Sequence, residues 1–226
     1  MNKVNFDSVS KDKIVEQAGQ IFPKAIDFAS KKISEQAAEA LPKAINLATG
    51  YEVEAICEFV DTIKKNNPHL SNTELAMKIS QKKTWFAGLA GGVYGAGGFI
   101  TIGLDLFTMW RIQGRLILAI AYIFGHNLKS PERRDEILLV MGLASGSEAA
   151  KKVVIEASKE GFKKTLLKPA VKEVIKKLPN KLITIAGEKS LLNVTKLVPL
   201  IGIPITFLMD FFSTKAVGKA AIEFYS

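Results

Sequence analysis

The sequence holds one cysteine, Cys57, and two histidines, His69 and His126. A single thiol excludes an internal disulfide and leaves a cysteine-based zinc site with one ligand. Two histidines lying near helix ends are more in keeping with structure than with metal binding, so no metal and no cofactor are expected. Alternating β-branched runs are missing, which argues against strands. No signal or transit peptide opens the chain, where Met1 to Lys13 are polar and mixed in charge; cytoplasmic residence is the expectation. Nucleotide loops are also lacking. Gly92 and Gly97 have the spacing of a phosphate-binding loop, but Gly98 and Phe99 follow where Lys and Ser or Thr are required. Gly95-Ala-Gly97 meets Ile100 at the third glycine of a dinucleotide fingerprint, and no strand precedes it.

What is present is helix. Across 226 residues, enough for one domain with a small appendage, apolar residues recur at three- and four-residue steps. The spacing predicts helices near 11–21, 23–40 and 42–66, with Pro23 and Pro42 each in the first turn of a new helix. The segments 22–30 and 41–49 echo each other, as a duplicated hairpin or as two similar helix starts would. Ser71-Asn-Thr-Glu74 is a capping box that starts a helix at Asn72. Ser130-Pro-Glu132 and Ser147-Glu148 predict two further starts, and Pro169, Pro179, Pro199 and Pro204 punctuate the rest.

Thr84 to Leu104 is 21 residues long, carries no charge and contains seven glycines. Its length matches a hydrocarbon thickness of about 30 Å, and Gly88 with Gly92 and Gly91 with Gly95 have the spacing for close helix approach. Each glycine costs about 1 kcal/mol in a helix interior relative to alanine. A straight span through Gly95, Gly97 and Gly98 is therefore disfavoured against a glycine turn leading to a second helix from Phe99 to Phe124. The expected fold is all-α: a multi-helix bundle with glycine-rich apolar hairpins, packed in a core or set against a membrane. Leu116–Leu128 suits a buried core helix, and Leu197–Met209 a kinked or re-entrant one.

The net charge is +9, and residues 151–226 carry fourteen basic and six acidic side chains. Lys164, Lys168, Lys172 and Lys176 recur at four-residue steps, a stripe on a continuous helix that Lys177 and Lys181 thicken. A basic amphipathic helix suits anionic lipid; it also suits a merely solvated face. The stripe has no arginine and no interleaved aromatics, which disfavours nucleic acid. Inside the apolar middle lie Asp105, Arg111 and Arg115, a candidate anion or ligand pocket if the arginines are free, interhelical salt bridges if they are not. Cys57 with His69, or Ser145 in Gly142-Leu-Ala-Ser-Gly146, lacks the spacing of a hydrolase nucleophile and base.

Several segments resemble the EcsC family in order: Gly91 to Asp105, then Arg115-Leu-Ile-Leu-Ala-Ile-Ala, Tyr122-Ile-Phe-Gly125 and Ser130-Pro-Glu-Arg133, then Glu188-Lys189, Val198-Pro-Leu-Ile-Gly202, Phe211 and Ala220 to Phe224. The resemblance spans residues 45–226, with 1–44 as an N-terminal helical extension. It implies a bacterial, membrane-associated context beside an ABC transporter, and it supplies no catalytic residues. The expectation is a non-enzymatic helical protein peripheral to the inner membrane face, with anionic lipid and a protein as partners. The alternatives are an apolar-ligand-binding module, a membrane-active effector and a hydrolase.

Overall fold

The computed structural model describes the backbone of residues 8–81, 102–194 and 202–226, and the side chains of 27–28, 31–81, 106–185 and 214–226. Among the described residues every regular element is helical: α1 (Ser8–Thr49), α2 (Val53–Asn66), α3 (Asn72–Gln81), α4 (Ile102–Ile123), α5 (Arg133–Ala144), α6 (Glu148–Glu160), α7 (Phe162–Leu166), α8 (Pro169–Val194) and α9 (Gly202–Tyr225). The fold is an all-α multi-helix bundle.

The centre is α4. Its residues Leu116 through Ala121 are all fully buried, and a helix apolar on every side must be covered on every side. The cover comes from α1, α9, α2, α3 and α5. The expected core helix at Leu116–Leu128 is thus found, and Leu128 is buried beyond its end. One helix among the described residues, through Leu106–Ile123, is long and apolar enough to cross a membrane, and 67% of that window is buried inside the protein.

The expected breaks at Pro23 and Pro42 are not there. α1 runs through both, and the chain turns only at Gly50. A proline inside a helix forfeits one backbone hydrogen bond and crowds the preceding turn. At Pro42 that cost is outweighed by burial of a long stripe, Ile33, Ala37, Ala40, Leu41, Ala44, Ile45 and Ala48, against α4 and α8. Its alanines bring the axes close: a Cβ on Gly114 of α4 would stand 3.3 Å from Ala48 Cβ. The division expected between residues 44 and 45 falls within this helix. Pro179 is likewise carried inside α8.

The capping signals correspond to real helix starts. The Ser71 N–H donates to Glu74 Oε2 at 2.8 Å, and the Glu74 N–H to Ser71 Oγ at 3.3 Å. Ser147 Oγ accepts from the Ala150 N–H at 3.4 Å at the head of α6. The Ser130-Pro-Glu start is displaced: α5 begins at Arg133, after a turn in which the Arg133 N–H donates to Ser130 O at 3.2 Å. Two helices end on left-handed glycines, Gly125 (φ 86°) and Gly146 (φ 79°). In each the next residue reaches back to close the turn, His126 N–H to Ala121 O at 3.0 Å and Ser147 N–H to Gly142 O at 2.9 Å. Gly142-Leu-Ala-Ser-Gly146 is therefore a helix terminus, and the Ser145 hydroxyl is spent on Gly142 O at 2.8 Å.

Candidate functional site

Glu52 opens α2 and meets α4 edge-on. Arg111 and Arg115, one helical turn apart, aim at the same carboxylate oxygen: Arg111 Nε donates to Glu52 Oε1 at 2.8 Å, with its Nη2 on that oxygen as well, and Arg115 Nη1 donates at 3.1 Å. The side chains of Glu52 and Arg115 are 9% and 10% exposed, and that of Arg111 is 31% exposed. Burial lowers the Arg115 pKa, Glu52 raises it, and the like charge of Arg111 lowers it. Glu52 Oε2 and Arg115 Nε are buried with no hydrogen-bond partner among the described residues. The arginines singled out from the sequence are thus brought together as an interhelical clamp. The partner was missed because Glu52 lies 59 and 63 residues away along the chain. The Asp105 side chain and the glycines Gly88, Gly91, Gly92, Gly95, Gly97 and Gly98 lie outside the described residues.

The lysine stripe is divided between two helices. Lys164 belongs to α7, while Lys172, Lys176, Lys177 and Lys181 lie on α8; all five are exposed. The single continuous helix assumed for the stripe is broken at Leu167–Lys168, because Leu166 turns into the core and Pro169 starts α8. Lys168 is half-buried and holds α6, its Nζ lying 2.6 Å from Glu156 Oε1 and 2.8 Å from Glu160 Oε2. It fastens the bundle, and the other five present charge outward.

A scan of protein families matches residues 9–226 to the EcsC protein family. The chain belongs to the EcsC protein family. Comparison with curated proteins and with solved structures returned no match. The match takes in nearly all of α1 as well as the segments that suggested the resemblance.

A second buried cluster forms where residues in or just beyond three of those EcsC-like segments meet: the turn after α4, the head of α5 and the end of α9. Tyr225 Oη donates to Glu136 Oε2 at 2.8 Å, and Arg133 Nη1 contacts the same oxygen. The Arg133 guanidinium lies 6.0 Å from the Tyr225 ring centroid, and the His126 ring packs against Tyr225 at a 60° tilt with centroids 4.9 Å apart. Burial raises the Glu136 pKa against the pull of Arg133, and burial with the Glu136 charge holds the Tyr225 hydroxyl well above its ordinary value. Burial, then Arg133, lowers that of His126. Sequence reasoning missed this cluster. Its one signal was Glu136, a carboxylate three residues after Arg133 and immediately before the apolar run Ile137–Met141.

Among the described residues neither Cys57 nor Ser145 is hydrogen-bonded to a histidine or lysine that could act as its base. The Cys57 thiol is pushed up by burial and by the carboxylates of Asp61 and Glu54, the reverse of what activates a nucleophile.

Proposed function

We propose that this EcsC-family protein is a non-enzymatic, membrane-associated helical protein that docks on anionic lipid at the inner face of a bacterial membrane, as an accessory to a membrane complex. The observation that carries this reading is the outward set Lys164, Lys172, Lys176, Lys177 and Lys181, in the third of the chain that holds most of the excess charge. Among the described residues of 163–181 the only acid is Glu173. Each lysine held near an anionic surface contributes about 1 kcal/mol, so several acting together give measurable adsorption.

Co-sedimentation with phosphatidylglycerol vesicles and with phosphatidylcholine vesicles, at low and high salt, tests the reading. Binding to the anionic vesicles alone, weakened by salt and lost in a Lys172→Glu, Lys176→Glu, Lys177→Glu, Lys181→Glu variant, is expected. Failure to sediment with anionic vesicles at low salt defeats it.

A further inference from the structure

Between the lysines of α7 and those of α8 the chain makes an elbow whose tip is apolar. Leu167 is 64% exposed, and Pro169 and Ala170 beside it are exposed as well. Lys163 and Lys164 precede this tip and Lys172 follows it, all three exposed.

The elbow is held in shape from several directions. Gly161, with φ 88°, turns the chain out of α6. Phe162 packs on Phe224 with ring centroids 4.3 Å apart. Thr165 and Leu166 are buried. Lys168 is tied to Glu156 and Glu160 at 2.6 and 2.8 Å. Leu166 is seated in the core, Lys168 is tied to α6, and Leu167 between them faces solvent. A surface leucine on a loose loop would need no explanation; one held exposed in a fastened turn, with exposed lysines before and after it in the chain, does.

We propose that the α7–α8 elbow is a membrane-insertion point, with Leu167 entering the boundary between headgroups and acyl chains of an anionic bilayer while Lys163, Lys164 and Lys172 lie at the phosphates. An apolar tip flanked by lysines matches the layered chemistry of that boundary, anionic outside and apolar a few ångströms deeper. An acidic protein surface would complement the lysines and leave the leucine unmatched. The inference rests on the docking reading above and adds the depth and orientation of the contact. Docking on α8 alone would hold the helix above the headgroups; insertion of the elbow lowers its N-terminal end into them.

The test uses the full chain with Cys57→Ser, which removes its one thiol, and an environment-sensitive fluorophore on Leu167→Cys. On phosphatidylglycerol vesicles the label is expected to shift to the blue and to become protected from an aqueous quencher. The same label on Ala38→Cys, exposed on α1 and outside the docking lysines, should remain exposed to the quencher. Unlabelled Leu167→Asp is expected to bind these vesicles roughly tenfold or more weakly than wild type, with an unchanged circular dichroism spectrum and thermal midpoint. If the protein sediments with the vesicles while the Leu167 label stays in water and Leu167→Asp binds as wild type, insertion is overturned and surface docking stands. If nothing sediments, both readings fall.

Discussion

Replacing Glu52 by glutamine isolates the charge of the carboxylate while keeping its shape and one acceptor oxygen. In the wild type one oxygen serves two guanidinium groups, at 2.8 Å from Arg111 Nε and 3.1 Å from Arg115 Nη1. The two arginines do not suffer equally from its loss. Arg111, with 31% of its side chain exposed, can rehydrate, so its share resembles that of a surface pair, about 0–1 kcal/mol. Arg115, with 10% exposed, would be left as a buried cation one turn from a like charge. Breaking a buried pair by removing one partner costs about 3–5 kcal/mol. Because glutamine still accepts a hydrogen bond, the expected loss for Glu52→Gln lies at the low end, about 3 kcal/mol. Arg115→Met removes the cation instead and leaves Glu52 paired with Arg111. In that background Glu52→Gln should cost only about 1 kcal/mol, giving a coupling of about 2 kcal/mol in the double-mutant cycle. Urea unfolding followed by helical circular dichroism measures all four proteins. A Glu52→Gln penalty that is the same with and without Arg115, or below about 1 kcal/mol in the wild type, would refute the clamp as a buried charge pair.

Two further outcomes follow from particular contacts. A Cβ on Gly218 would stand 2.7 Å from Ser80 Cβ, forcing α9 away from α3. Gly218→Ala should therefore lose about 1–3 kcal/mol in thermal or urea unfolding despite its better helix propensity, and Ser80→Gly should recover part of that as favourable coupling. His126 has a folded pKa below its ordinary 6.5, so the unfolded chain binds the proton more tightly. Stability should fall as pH is lowered from 6.5 through the folded value. The wild-type minus His126→Gln difference, measured by unfolding between pH 7.5 and 5, should decline in that window; a flat difference would contradict it.

What the sequence disclosed was mostly local. α4 was legible because Leu116–Ala121 leaves no polar face, and a run apolar on every side has nowhere to go except the interior. The starts at Asn72 and Glu148 were legible because capping depends on residues three apart. The uninterrupted α1 was not legible: the proline penalty is local, whereas the buried stripe that overrides it depends on α4 and α8. The elbow at Leu167 was hidden for a similar reason. Lysines at four-residue steps describe one helix until Leu166 takes its place in the core and Pro169 starts another. The polar clusters were the least accessible. Arg111 and Arg115 announced themselves as charges in an apolar run, but Glu52 and the Glu136–Tyr225 pair, 89 residues apart, became partners only through the fold.

The disposition of charge then separates scaffold from surface. Glu52 serves two arginines, Glu136 serves Arg133, and Glu156 with Glu160 fasten Lys168. These contacts join helices or lie in the core, and each has a structural purpose. The outer face of α8 follows another rule. Lys172 with Lys176 and Lys177 with Lys181 are like charges four residues apart, each pair opposing the helix by about 0.2–0.5 kcal/mol. Lys176 has Glu173 at 3.6 Å and Lys172 acts on the Asp135 carboxyl, whereas Lys177 and Lys181 make no ion pair among the described residues. A helix whose task was only to pack would gain from glutamine at Lys181, whose exposed side chain makes no ion pair among the described residues and opposes Lys177. An anionic surface would offset that repulsion, and this is the contact proposed for the face of α8 and the elbow at its head.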